Sequence, residues 1–185
     1  PLQPDARSSI ETLQAAGWRC EILSGDDPEL VRRTGELIGI PARRCRGGCT
    51  PEDKLARVRR LAARRTTVVV GDGVNDAAAL AAATVGVAVH GGAEASLQAA
   101  DVYLDRPGLD GVVELIDGAR RTSRVITRNL ATSLGYNVVG TALAMAALMD
   151  PVLAAVLMPA SSLTVITLSY RSRTFGRPPA AEDDP

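Results

Sequence analysis

Two carboxylates, Asp72 and Asp76, stand with Asn75 and two glycines in V-V-V-G-D-G-V-N-D-A-A-A-L at 68–80, between a β-branched run and an alanine-rich one. Carboxylates are hard oxygen ligands suited to Mg²⁺. Gly71 and Gly73 let the backbone approach a phosphate closely, and a helix beginning there adds free N–H groups and a positive dipole end. A plain Asp-Gly turn with Asp as the N-cap of the next helix accounts for the same letters taken alone. Two further stretches supply complementary chemistry: Ser24-Gly25-Asp26 brings a hydroxyl and an acid, and Thr50-Pro51-Glu52-Asp53-Lys54 brings an ammonium. Phosphoryl transfer is mostly positioning and charge neutralisation, so a hydroxyl and a Lys on phosphoryl oxygens and a metal on the carboxylates make a sufficient set. No acid is placed convincingly as a nucleophile, Asp26 being the spare one near the motif.

The elements that position these groups follow from periodicity. Residues 66–70 read as a strand buried on both faces and 77–83 as a helix, which puts the acids on a strand-to-helix loop at the carboxyl end of a strand, where open α/β sheets bind ligands. Upstream, 5–16 reads as a helix with Ile10, Leu13 and Ala16 inward, and 18–23 as a strand delivering Ser24. Pro28 opens a helix closed by Gly39, packed by Leu30, Val31, Leu37 and Ile38. Residues 41–48 are irregular or a short edge strand. Thr50 caps a helix reaching Arg65, with Leu55, Val58, Leu61 and Ala62 as its buried stripe and its arginines as a solvated surface. Downstream, 85–89, 93–99 and 101–104 alternate strand, helix and strand. The series predicts an α/β fold with a mainly parallel sheet and right-handed crossovers.

Twenty-one basic and twenty-one acidic residues cancel, so no nucleic-acid surface is expected. Three cysteines, Cys20, Cys45 and Cys49, match no zinc pattern and read as reduced thiols of a strand and its turn. His90, the single histidine, reads as a loop residue. Pro1 in place of Met, with no signal peptide, suggests a fragment. Beyond an amphipathic connecting helix at 109–128 the composition changes: 129–170 holds one acid, Asp150, and no Lys, Arg or His. Residues 129–149 and 151–170 are each long enough to cross a hydrocarbon core, so a two-helix transmembrane hairpin is expected. The arginines at 120–128 and Arg171, Arg173 and Arg177 put both ends in the cytoplasm, and the tail 171–185 reads as disordered.

Ser24-Gly25-Asp26, Pro51-Glu52-Asp53-Lys54 and Gly71 to Asp76 resemble, in order, the T-G-D, P-E-D-K and G-D-G-V-N-D motifs of the heavy-metal P-type ATPases. The phosphorylation domain of that family is haloacid dehalogenase-like. The resemblance implies a C-terminal part of that domain at 1–108 with the membrane segments after it. It also implies that Asp72 binds Mg²⁺ with Asp76, that Asn75 and Asp76 support the metal and phosphate, and that Ser24 and Lys54 contact phosphoryl oxygens. The family's D-K-T-G-T, which carries the phosphorylated aspartate, is absent from these residues, as are the T-G-E and membrane Cys-Pro-Cys motifs. ATP hydrolysis and transport would therefore belong to the complete polypeptide, with its N-terminal part as partner and a bacterial-type plasma membrane as location. Tyr136-Asn137 and Met158-Pro159-Ala160-Ser161-Ser162 resemble the Y-N and M-x-x-S-S of copper(I) transporters. Met158 and Ser162, four apart, share a helix face, and a thioether suits soft Cu(I). Packing of Met158 against lipid and of the serines between helices is the alternative. A copper chaperone is a further partner under this resemblance. Competing readings are a soluble phosphatase of the same superfamily and a non-catalytic, membrane-anchored Mg²⁺-binding module.

Overall fold

The computed structural model describes residues 2–72, 74–91, 94–148 and 150–172. The chain divides into two compact units, Pro1–Val113 and Glu114–Pro185. Gly73 and the tail beyond Ser172, with Arg173 and Arg177, lie outside the described residues, as does the side chain of Met158.

The first unit alternates helices and short strands: α1 (Ala6–Ala15), β1 (Ile22–Leu23), α2 (Pro28–Leu37), β2 (Cys45–Arg46), α3 (Pro51–Ala62), β3 (Val68–Gly71), α4 (Ala77–Ala81), β4 (Val85–Ala88), α5 (Glu94–Ala99) and β5 (Val102–Tyr103). All pairings are parallel, β1 with β2 in one sheet and β3-β4-β5 in another, with Val68 opposite Val85 and Val87 opposite Val102. Parallel strands demand crossovers, and the intervening helices supply them. The core gathers on β4, where Val87 and Ala88 are fully buried, and on Leu80 and Ala79 of α4, Val58 of α3, and Val31, Ile38 and Ile40. Leu30 and Leu37 of α2 face outward instead. Gly35 and Val31 take the buried side of that helix, and a side chain at Gly35 would collide with the Cys45 sulfur, so the approach of β2 selects the face.

Local chemistry sets the helix starts. The Asp27 carboxylate accepts from the N–H groups of Glu29 and Leu30 at 2.9 and 3.1 Å. Thr50 and Asp53 form a reciprocal capping box, Asp53 N–H donating to Thr50 Oγ1 and Thr50 N–H to Asp53 Oδ2. Asp5 precedes α1 but its side chain does not cap that helix. It accepts from the N–H groups of Leu109 and Asp110 and thereby caps α6 (Asp110–Met145).

The second unit corrects the expected transmembrane hairpin. α6 continues from the arginine-rich stretch into 129–145 without a break, and α7 (Pro151–Tyr170) follows. No helix among the described residues is long and apolar enough to cross a membrane. The expectation rested on segment length, the lack of charge and the flanking arginines, whereas spanning requires a helix that is strongly apolar along that length. Asn129, Thr132, Ser133, Tyr136, Asn137 and Thr141 dilute the end of α6, and Pro159 lies inside α7. α6 also stops short of Met149: Leu148 N–H returns to Leu143 O and Ala147 N–H to Ala144 O around Ala147 at φ 56°. This is a Schellman closure in which alanine holds the position that glycine usually takes.

Candidate phosphoryl and magnesium site

Two local constructions carry the candidate residues, both in the first unit. In the first, Ser24 follows β1 and its hydroxyl donates to Asp26 Oδ2 at 2.8 Å. The loop is tied to the segment after β2: Ser24 N–H donates to Arg46 O, Gly48 N–H to Asp26 O and Cys49 N–H to Ser24 O, at 2.7–2.9 Å. A side chain on Gly47 would stand 2.4 Å from Pro28 Cα and 2.7 Å from Asp26 O. Gly47 is thus a positioning residue that sequence reading placed only in a turn. Its signal was the Gly47-Gly48 pair.

In the second construction, Lys54 on the first turns of α3 donates from Nζ to Asp76 Oδ1 at 2.8 Å, with the two side chains only 13% and 18% exposed. Asp76 precedes α4 but makes no capping bond with its side chain. An Asp-Gly turn with an N-cap therefore does not describe what its carboxylate does. Gly71 ends β3 against this carboxylate, and a Cβ there would lie 2.8 Å from Asp76 Cβ. Asp72 and Asn75 are exposed beside it.

The structure thus joins Lys54 to Asp76 and Ser24 to Asp26, and shows no direct bond between the two pairs. Among the described residues no three His, Cys, Asp or Glu side chains form a metal cluster. Two neighbouring carboxylates, one exposed and one with Oδ2 unused by Lys54, nevertheless fit Mg²⁺, which keeps several waters and takes one or two protein carboxylates. They do not fit a full protein cage.

Other groups take structural parts. Arg57 of α3, expected on a solvated surface, makes a forked ion pair with Glu21 at 2.8 Å and is largely buried. Burial pushes the Cys20 thiol up, with Arg44 opposing, and burial followed by Glu36 pushes the Cys45 thiol up. Cys45 and Cys49 turn their sulfurs to backbone carbonyls at 3.6 Å. His90 meets Tyr103 loosely, at 3.5 Å. In the second unit Tyr136 reaches Thr164 at 3.4 Å, while Asn137 and Ser162 are exposed. No hydrogen bond links the side chains of Tyr136, Asn137 and Ser162 among the described residues.

Comparisons with known proteins agree with the parallel α/β fold. Two family models described as haloacid dehalogenase-like hydrolase match residues 1–84 and 53–116. The chain belongs to the haloacid dehalogenase-like hydrolases over these residues. Its relatives are heavy-metal P-type ATPases and their like. It is 41% identical over 181 residues to "Nitrogen fixation protein FixI" of Rhizobium leguminosarum bv. viciae, covering 96% of this chain and 23% of that protein. It is 37% identical over 177 residues to "Probable copper-exporting P-type ATPase V" of Mycobacterium tuberculosis, covering 95% and 23%. A crystal structure of a zinc-transporting PIB-type ATPase in the E2.Pi state superposes with a TM-score of 0.86 at 30% identity, over 92% of this chain and 28% of that one. The chain spans about a quarter of the length of these relatives.

Proposed function

We propose that this chain is the C-terminal part of a metal-translocating P-type ATPase and contributes the Mg²⁺-binding half of its aspartyl-phosphate site. The observation that carries the reading is the Lys54–Asp76 ion pair, which joins the P-E-D-K and G-D-G-V-N-D stretches in one partly buried place. Asp72 and Asp76 would hold Mg²⁺, which supplies charge neutralisation at the phosphoryl group. Asn75 supports the same oxygens. Lys54 balances Asp76 and offers its remaining protons to phosphoryl oxygens, and the Ser24 hydroxyl, oriented by Asp26, with the Gly25 backbone offers further donors. The aspartate that accepts the phosphoryl group lies in a strand outside these residues, and that strand would pair along the free edges of β1 and β3. ATP is bound by parts of the polypeptide beyond this chain.

Cu(I) is the proposed cargo, held in part by Tyr136, Asn137, Met158 and Ser162. Support comes from the thioether chemistry of Met158 and from the relative named as copper-exporting. Zn²⁺ is the second reading, because the solved relative is named as zinc-transporting. The complete protein acts at a membrane, with the rest of its own polypeptide as partner and a copper chaperone as donor. Sequence read upstream should contain D-K-T-G-T. The polypeptide carrying both parts should hydrolyse ATP faster with Cu(I) than with Zn²⁺, and Asp72→Asn should lower that rate about 100-fold. Absence of D-K-T-G-T upstream overturns the catalytic reading, and stimulation by Zn²⁺ alone overturns the cargo.

A further inference from the structure

In the second unit α6 and α7 meet along a polar seam whose bonds run in opposite order on the two helices, so the helices are antiparallel. Arg128 donates to Leu168 O at 3.1 Å and to Ser172 Oγ at 2.8 Å, and Asn129 Nδ2 donates to Ser169 Oγ at 2.7 Å. Seven residues beyond Asn129, and therefore on the same face of α6, the Tyr136 hydroxyl stands 3.4 Å from Thr164 Oγ1. The bonds of Arg128 and Asn129 hold the register of the pair without help from Thr164.

The two hydroxyl protons have one arrangement. Thr164 carries a single hydroxyl proton, and it is committed elsewhere: Thr164 Oγ1 donates to Ala160 O at 2.7 Å, and a carbonyl oxygen only accepts. Tyr136 is therefore the donor of its contact with Thr164, and Thr164 the acceptor. A phenol whose O–H is turned onto a neighbour presents its lone pairs on the other side, and donating polarises its oxygen toward negative charge. A phenol with no acceptor can swing its proton toward whatever approaches, which repels a cation. Both side chains are only partly exposed, so water is a limited substitute for the missing acceptor. We propose that Thr164 is a positioning residue for the cargo cation: it takes the Tyr136 proton and keeps the phenol oxygen open to the metal. This rests on the reading above in which Tyr136 forms part of the cargo site. At 3.4 Å the bond is longer than the usual hydroxyl pair, so its effect is modest.

Cu(I)-stimulated ATP hydrolysis by the complete polypeptide tests the assignment. Thr164→Val keeps the shape and removes the acceptor, and should raise the KM for Cu(I) about threefold, with kcat and the KM for ATP unchanged. Thr164→Ser should keep the wild-type KM. Tyr136→Phe should raise the KM as well, and adding Thr164→Val to it should change nothing further, because Thr164 acts through the phenol. Ultraviolet resonance Raman of the full chain gives a readout without metal. The tyrosine ring doublet of Tyr136, identified by its loss in Tyr136→Phe, should leave the donor pattern in Thr164→Val and stay in it in Thr164→Ser. Circular dichroism checks that the helices are retained, and Thr164→Ala takes the place of Thr164→Val if that variant does not fold. An unmoved KM or an unmoved doublet without the acceptor, or an equal rise in KM on the Tyr136→Phe background, overturns the proposal. The two failures are distinguishable. If Tyr136→Phe raises the KM and Thr164→Val does not, only the positioning role is lost. If Tyr136→Phe leaves the KM unchanged, Tyr136 leaves the cargo site and the role of Thr164 falls with it.

Discussion

Lys54 and Asp76 are twenty-two residues apart and make an ion pair that neither stretch predicts alone. With little solvent around either side chain, removing one partner leaves the other charge poorly compensated. Lys54→Met is expected to destabilise the chain by about 2 kcal/mol, less than a fully buried pair because some solvent reaches both groups. Lys54→Met with Asp76→Asn should recover about half of that loss. Urea unfolding midpoints measure both, and an unchanged midpoint in the single variant would show that the pair adds nothing to stability. At the same scale, the freedom of Gly71 is spent on proximity: its missing Cβ leaves room for the Asp76 side chain. The sequence suggested glycine near phosphate, and the structure adds a nearer reason.

Among elements, the start of α6 shows how a distant residue can decide a boundary. Asp5 serves Leu109 and Asp110, while Ser9 donates to Asp110 Oδ1 at 2.7 Å. A carboxylate at a helix N-terminus satisfies free N–H groups and complements the dipole. Asp5→Ala should therefore cost about 1–2 kcal/mol and melt the first turn of α6 before the rest of the first unit. Hydrogen exchange at Val112 and Val113 reads this directly, and protection equal to the wild type would contradict it. Gly108, at φ +97°, follows the same logic, because a Cβ there would strike the Asp5 carboxylate. Sequence periodicity placed a helix from Leu109 correctly to within a residue, yet carried no sign of the cap across the chain.

The molecule as a whole leaves much apolar and edge surface open. Among the described residues β1 pairs only with β2, and β3 stands at the end of its sheet with Val70 exposed. The second unit exposes Leu130, Leu134, Val138, Val139, Leu163 and Ile166. Unpaired parallel edges and open aliphatic faces promote association. The isolated chain should sediment as oligomers at micromolar concentration and shift toward monomer in mild detergent. A monomer in detergent-free buffer would refute this expectation.

Sequence by itself determined the order of helices and strands, the parallel character of the sheets and the stretches that bear the candidate chemistry. These are written in local periods and in caps such as Asp27 and the Thr50–Asp53 box, where cause and effect lie within a few residues. It also separated a charged first part from a nearly uncharged second part. It did not establish what the second part does, because lack of charge is not the same as sufficient apolarity along an unbroken helix. Tertiary structure alone decided which partner each polar group takes: Asp76 with Lys54 rather than with its own helix, Asp5 with α6 rather than α1, Arg57 with Glu21 rather than water. Each of these joins residues separated along the chain, and a local pattern holds no record of such encounters. The site therefore became legible only where folding brought the lysine of one stretch onto the carboxylate of another.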